Sequence, residues 1–404
     1  MKILVLTQVF YPDTVSVSQH LSDLAFSLVN NGNKVTVYTS KFSYEDKKIK
    51  YSSFETLKGV EIHRLNQSSL GKSNVISRII DFFTFYFSII SKLIFIKRQS
   101  YDIIIGSTVP PFLSFIGVLI SKWKKIRFVY WVMDLQPELS ISSGLINKNS
   151  IAASLFTFLG NYTIQNSNSI ISLDRFMTQY LISRGAKESV VKTIPVWPVL
   201  DQKYYGERMS NPFRIRNNFM DKIVIMYSGN HAYVHPLDTL LEAALSLQEN
   251  SKFLFVFVGG GVRRREVTDF KNKHSLLNII QLPFQPRENI HNSLGSSDIL
   301  VVILGGGQVG YTHPNKVYGA LYIGKPILYI GPKQSHVGDI IDELTDNIFV
   351  EHGHADRLVQ ECERFASMTV EKLQKIGNDN QKYAELNFHP DILKNKMIEA
   401  IVKQ

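Results

Sequence analysis

Apolar and polar positions along this chain switch repeatedly between two periods. Residues 2–9 form a short, nearly continuous apolar run, which predicts a buried strand. Residues 18–30 then place Leu21, Leu24, Ala25 and Leu28 at helical spacing, and Gly32 ends that helix. Residues 34–39 predict the next strand. A strand, a helix and a strand in this order build a parallel sheet. Residues 101–106, 128–133 and 169–173 predict further central strands. A second series begins near Asp221, with strands expected at 223–228, 253–258, 278–282, 299–304, 326–330 and 347–350. The pattern predicts an α/β chain of two parallel-sheet domains, residues 1–205 and 206–385. Between them, over 195–220, proline and charge replace periodicity. Residues 386–404 supply a last helix that could pack back on the first domain.

Open parallel sheets bind ligands beyond the carboxyl ends of their strands, so the loops after strands carry the candidate chemistry. The first such loop, Thr7 to Pro12, lacks GxGxxG, and no GxxxxGK[ST] occurs in the chain. Dinucleotide and Walker-type sites are thereby disfavoured. Gly229 and Asn230 follow the first strand of the second domain, with His231, His235 and Pro236 leading into a helix. A glycine there permits close backbone approach, and a helix start favours phosphate. Gly259, Gly260 and Gly261 precede Arg263, Arg264 and Arg265, a flexible backbone beside guanidinium groups that suits a diphosphate. Gly305 to Gly307 precede Thr312, His313, Pro314, Asn315 and Lys316. Proline at a first helical turn, free amides and one ammonium make an anion cradle. In the first domain Asp134 and Glu138 stand at a strand end, where a carboxylate can orient a hydroxyl or assist proton transfer. No HExxH, paired cysteines or His/Asp cluster appears, so no metal is expected.

Composition adds two constraints. The chain has 404 residues, 44% hydrophobic and 20% charged, enough for two cores, and a single cysteine, Cys362, which fits a reducing compartment. Its start reads as the first strand of a fold rather than as an export sequence. The net charge is +10, and residues 41–127 hold 15 Lys/Arg against 6 Asp/Glu. Such a localised basic surface attracts anions. Within it lies the stretch 75–96, whose uncharged run between Asp81 and Lys92 is only ten residues, too short to span a bilayer. It predicts a very apolar helix at a membrane interface, touching lipid through Phe83, Phe85, Phe87, Lys92, Lys97 and Arg98. Nucleic acid would explain the charge but not the two nucleotide-type domains, and no reader motif is present.

Seven stretches, in order along the chain, carry a resemblance: MKILVLTQVFYPD, GSTVPPF, VYWVMDLQPE, SLDRFMTQYLISRGA, MYSGNHAYVHPLDTLLEAAL, FVFVGGGV and THPNKVYGALYIGKPIL. The chain resembles glycosyltransferase family 4, in the branch of N-acetylfucosamine-type transferases of bacterial surface polysaccharides. The resemblance implies the GT-B fold, two Rossmann-like parallel-sheet domains facing across a cleft that closes on its substrates. It implies a retaining transferase without cofactor or metal. The donor, a nucleoside-diphosphate sugar of UDP-sugar type, would be held by the second domain through Gly229, Asn230, His235, Gly261, Arg263, Thr312, His313, Asn315 and Lys316. A polyprenyl-diphosphate-linked saccharide acceptor would meet the first domain near Tyr11, Ser18 and His20, at the inner face of the plasma membrane, with the protein cytoplasmic and peripheral. The chain departs from the family pattern in three features, at five positions. Its two glutamates eight residues apart would fall at Tyr311 and Gly319, its Arg and Lys for the diphosphate at Asn230 and His235, and its histidine before the aspartate at Met133. The losses leave two rivals, a silent relative that binds a partner and a sugar-nucleotide epimerase of the same fold.

Overall fold

The computed structural model describes residues 1–70, 75–200, 206 and 208–403. By its internal contacts the chain divides into two units. The first is Met1–Val196 with Gly310–His313 and Asp391–Gln404, and the second is Trp197–Val309 with Pro314–Pro390. The division after Val196 falls a few residues before the 205/206 boundary that the sequence suggests, and 201–205 lie outside the described residues.

Among the described residues the first unit holds eight strands: β1 (Lys2–Leu6), β2 (Lys34–Ser40), β3 (Phe54–Leu57), β4 (Val60–Leu65), β5 (Ile103–Gly106), β6 (Arg127–Trp131), β7 (Ser169–Ser172) and β8 (Val191–Thr193). They pair in the order β3-β4-β2-β1-β5-β6-β7-β8, and only β3 runs antiparallel. Buried on both faces, β1 and β5 are runs of Ile, Leu and Val rather than alternating strands, as a covered parallel sheet requires. Three successive crossovers, the helices Val75–Ile94, Leu113–Lys124 and Ile151–Asn166, pack side by side in that order.

The second unit holds β9 (Ile223–Ser228), β10 (Phe253–Val258), β11 (Ile279–Leu282), β12 (Ile299–Ile303), β13 (Ile327–Ile330) and β14 (Ile348–Val350). All pairs are parallel, in the order β11-β10-β9-β12-β13-β14. The strand order reverses at β9, so the loops after β9 and β12 leave the sheet side by side. That is the switch point where open sheets take ligands. Phe255, Phe257, Val301, Ile303 and Leu328 fill the core beneath them. Cys362 is buried in this core, and burial pushes its thiol up to about 12.

The apolar helix Val75–Ile94 forms, but Phe85 is fully buried with Ile89 and Leu93, which corrects its assignment to a lipid-facing set. These residues repeat every four positions and face the protein's own interior. Phe83 and Phe87, on either side of Phe85, are exposed, as are Lys92, Lys97 and Arg98. No helix among the described residues is long and apolar enough to cross a membrane.

Candidate functional site

In the second unit the loops after β9, β10 and β12 converge on Lys316. The helix Lys316–Ile323 starts at this residue, with Asn315 at its cap, Pro314 just before it and Gly324 at φ +73° closing it. No side chain caps its amino end; Val317 N–H donates to the Pro314 carbonyl at 3.1 Å and Tyr318 N–H to the Asn315 carbonyl at 3.3 Å. Lys316 turns back over the β9 loop. Its ammonium is 4.9 Å from the centre of the Tyr227 ring and 3.5 Å from the Asn230 carbonyl oxygen. Among the described residues no carboxylate pairs with it. Burial lowers its pKa to about 8.

The glycines are there for close approach. Gly229 has φ +129°, and a Cβ there would stand 2.6 Å from Lys316 Cε. A Cβ on Gly259, also at φ +129°, would meet the Gly229 carbonyl oxygen at 2.1 Å. The β9 and β10 loops are thus laced backbone to backbone: Gly229 N–H donates to Val258, and His231 N–H to Gly260. Beyond β12, by contrast, Gly306 and Gly307 face open space.

His231 Nδ1 lies 3.1 Å from the Gly260 carbonyl oxygen, which can only accept, so Nδ1 carries the proton and Nε2 is a bare acceptor. That Nε2 and His235 Nδ1 are buried without a hydrogen-bond partner. Burial lowers His231 to about 4 and His235 well below the ordinary histidine value, with the Lys316 charge acting in the same direction. Both shifts favour the neutral imidazole in the free protein. The three arginines divide. Arg264 donates to the carbonyls of Gly259 and Leu282 and braces the loop. Arg265 is exposed beside Asp269. Arg263 pairs with Glu266 at 2.8 Å, while its Nε is buried without a partner.

In the first unit the chemistry gathers at Asp134, just past β6. The segment Gly310–His313 forms an antiparallel bridge there between Asp134 and Thr312. Leu135 N–H donates to the Tyr311 carbonyl at 2.8 Å, and the Thr312 hydroxyl donates to Asp134 Oδ1 at 2.6 Å. Burial raises the Asp134 pKa, and the Thr312 hydrogen bond and His313 partly offset it. Asp174, which sequence reasoning passed over, lies 2.6 Å from His313 Nδ1 and also caps the helix Arg175–Ser183 by accepting from Met177 N–H at 2.8 Å. Its signal was the Leu-Asp-Arg step that follows β7, in a stretch quoted only for the family resemblance. Glu138 is engaged elsewhere, accepting from the Tyr180 hydroxyl at 2.7 Å with Arg184 at 3.5 Å.

The acceptor-side residues scatter. Tyr11 is exposed, whereas Ser18 and His20 are buried, the His20 ring 2.8 Å from its own helix's Ser16 carbonyl. A small crevice beside Asp134 is lined instead by Ser107, Thr108, Phe112, Phe115 and Tyr130. Among the described residues no three His, Cys, Asp or Glu side chains gather where a metal ion could be held.

Residues 210–383 match the family model described as Glycosyl transferases group 1. The chain is 25% identical over 246 residues to a probable glycosyltransferase, WbjE, of Pseudomonas aeruginosa, an alignment covering 60% of this chain and 60% of that protein. It is 22% identical over 352 residues to a putative colanic acid biosynthesis glycosyl transferase, WcaI, of Escherichia coli, covering 85% and 86%. Of solved structures, HepE of Anabaena in complex with UDP-glucose is similar over 100% of both chains, with a TM-score of 0.74 at 14% identity.

Proposed function

From a GT-B-like fold whose residues 210–383 match the group 1 glycosyltransferase model, we propose that the chain transfers a sugar from a nucleoside-diphosphate donor. The observation that carries this is Lys316, a partly desolvated ammonium without a carboxylate partner, set at a helix start among glycines. Such a group is held ready for an anion. The donor is of UDP-sugar type, its sugar an N-acetylated hexosamine or deoxyhexosamine. UDP-glucose in the Anabaena relative supports the nucleotide class. The acceptor is a polyprenyl-diphosphate-linked saccharide at the inner face of the plasma membrane. O-antigen, capsule or exopolysaccharide assembly is the setting, in keeping with the colanic acid biosynthesis in the name of the Escherichia coli relative.

In the transfer, the bond between the anomeric carbon and the diphosphate oxygen breaks, and charge grows on the leaving phosphate. Lys316 and the positive end of its helix stabilise that charge where it develops. The acceptor hydroxyl forms the new bond to the same face of the sugar, and its proton passes to the departing phosphate oxygen. Asp134, held by Thr312, orients the hydroxyl. Glu138, already bonded to Tyr180, keeps the helix Arg175–Ser183 in place. Titration of UDP into the protein and into Lys316→Ala tests the assignment. Equal affinity for both would remove Lys316 from the donor site.

A further inference from the structure

At the carboxyl end of the second sheet the side chain of Phe284 stands in the open. It lies two residues past β11 and is 47% exposed. Its ring rests on the loop that follows β10. A Cβ on Gly260 would meet ring atom Cε2 at 3.0 Å, and one on Gly259 would meet Cε1 at 3.2 Å. Gly260 has no positive φ to require a glycine, and the three nearest atoms its Cβ would meet all belong to this ring. Glycine there makes room for the ring. The Phe284 segment is itself constrained. Pro283 and Pro286 flank it, and the Gln285 side-chain amide donates to the Pro283 carbonyl at 2.9 Å. Single exposed apolar residues are ordinary on any surface. A ring seated on two glycines, in a loop stiffened by two prolines, is a flat face held ready in advance.

Strand register ties this ring to Lys316. Ser228 of β9, Val258 of β10 and Leu282 of β11 are partners across the sheet, so three loops leave it side by side. Gly229, Gly259 and Pro283 come next in each. Contact runs along that row. A Cβ on Gly229 would touch Lys316 Cε, and one on Gly259 would touch both the Gly229 carbonyl oxygen and Phe284. Neighbouring strands stand about 4.8 Å apart, which sets the end of β11 about 10 Å from that of β9. There the Lys316 ammonium lies over the Tyr227 ring. The row has a cation at one end, an aromatic face at the other and bare backbone between. A nucleoside diphosphate has the matching polarity, with charge at one end, a flat base at the other and a ribose between.

We propose that Phe284 is the platform on which the nucleobase of the donor stacks while its diphosphate lies at Lys316. The inference deepens the nucleotide-sugar reading and rests on it. The ring has no hydrogen-bonding group, so it recognises an aromatic base as a class and does not choose among bases. Gly260 serves the donor indirectly, since a side chain there would push the platform out of place.

Calorimetric titration of the full chain with UDP and with inorganic pyrophosphate separates the two ends of the row. Phe284→Ala should weaken UDP binding by about tenfold or more, the loss expected when one stacking partner is removed. Pyrophosphate binding and the melting temperature should stay as in wild type. Phe284→Trp should keep UDP affinity, and its added indole emission should be quenched by UDP and not by pyrophosphate. Lys316→Ala, in contrast, should weaken both ligands. Unchanged UDP binding in Phe284→Ala would overturn the platform and leave Lys316 in place. Equal weakening of UDP and pyrophosphate in Phe284→Ala would also overturn it, by making the ring a brace for its loop. A wild type that takes pyrophosphate as tightly as UDP would sink the platform alone. A folded wild type that binds neither would sink the donor reading and the platform with it.

Discussion

The Lys316 ammonium and the Tyr227 ring form a cation–π pair at 4.9 Å, and the pair stands where a carboxylate would otherwise be expected. The ring holds the ammonium in position without neutralising it. Lys316→Ala should therefore weaken UDP binding by about 10- to 100-fold, the range of one charge-assisted hydrogen bond worth about 1.5–3 kcal/mol. Calorimetric titration reads it, and an unchanged melting temperature shows that the fold is intact.

The same lysine sets a pH dependence. Its pKa in the free protein is lowered to about 8 by burial, and only the protonated form attracts a diphosphate. Donor affinity should be level below pH 7 and should fall above pH 8 by up to about tenfold per pH unit. Lys316→Arg, whose guanidinium stays charged, should flatten that fall. A donor KM independent of pH from 7 to 9.5 in wild type would contradict it.

Thr312 and Asp134 give a second titration of opposite sense. The hydroxyl of Thr312 stabilises the Asp134 carboxylate and so lowers a pKa that burial has raised. Thr312→Val removes the stabilisation, the pKa rises further, and the acid limb of kcat should move to higher pH. The alkaline limb should stay where it is.

Glu138 separates structure from chemistry. Bonded to Tyr180 and close to Arg184, it should cost about 1–2 kcal/mol of stability when changed to Gln, read by urea unfolding. The kcat of Glu138→Gln should stay within about threefold of wild type, whereas Asp134→Asn should lose far more.

Two glycines should respond differently to alanine. Gly259→Ala drives a Cβ into a carbonyl oxygen at a left-handed backbone position and should destabilise the protein by more than about 2 kcal/mol. Gly307→Ala meets open space and should leave stability unchanged. If the donor passes close by, its affinity alone will fall.

The second sheet was legible because each of its six strands is a short apolar run set off by loops from a helical pattern. In the first sheet the hairpin of β3 and β4 escaped notice. Phe54–Leu57 is an exposed edge strand with little hydrophobic signal, although Lys58 and Gly59, both at positive φ, are a turn pair. Strand β8, at three residues, is too short for any period to show. Phe85 was misjudged for a physical reason. A helix apolar on all sides has no polar face to say which side turns inward. Lys316 was found because proline, glycine and a lysine in one loop point to an anion. Asp174 was missed because its partner, His313, is 139 residues away in sequence.

The central claim, that Lys316 and its glycine loops hold a nucleoside diphosphate, is tested most directly by titrating UDP into wild type and Lys316→Ala at pH 7. Saturable binding in wild type, weakened at least tenfold in the variant, is the predicted result. No binding of UDP or any nucleoside-diphosphate sugar to a folded wild-type protein, or equal binding to both proteins, would contradict it.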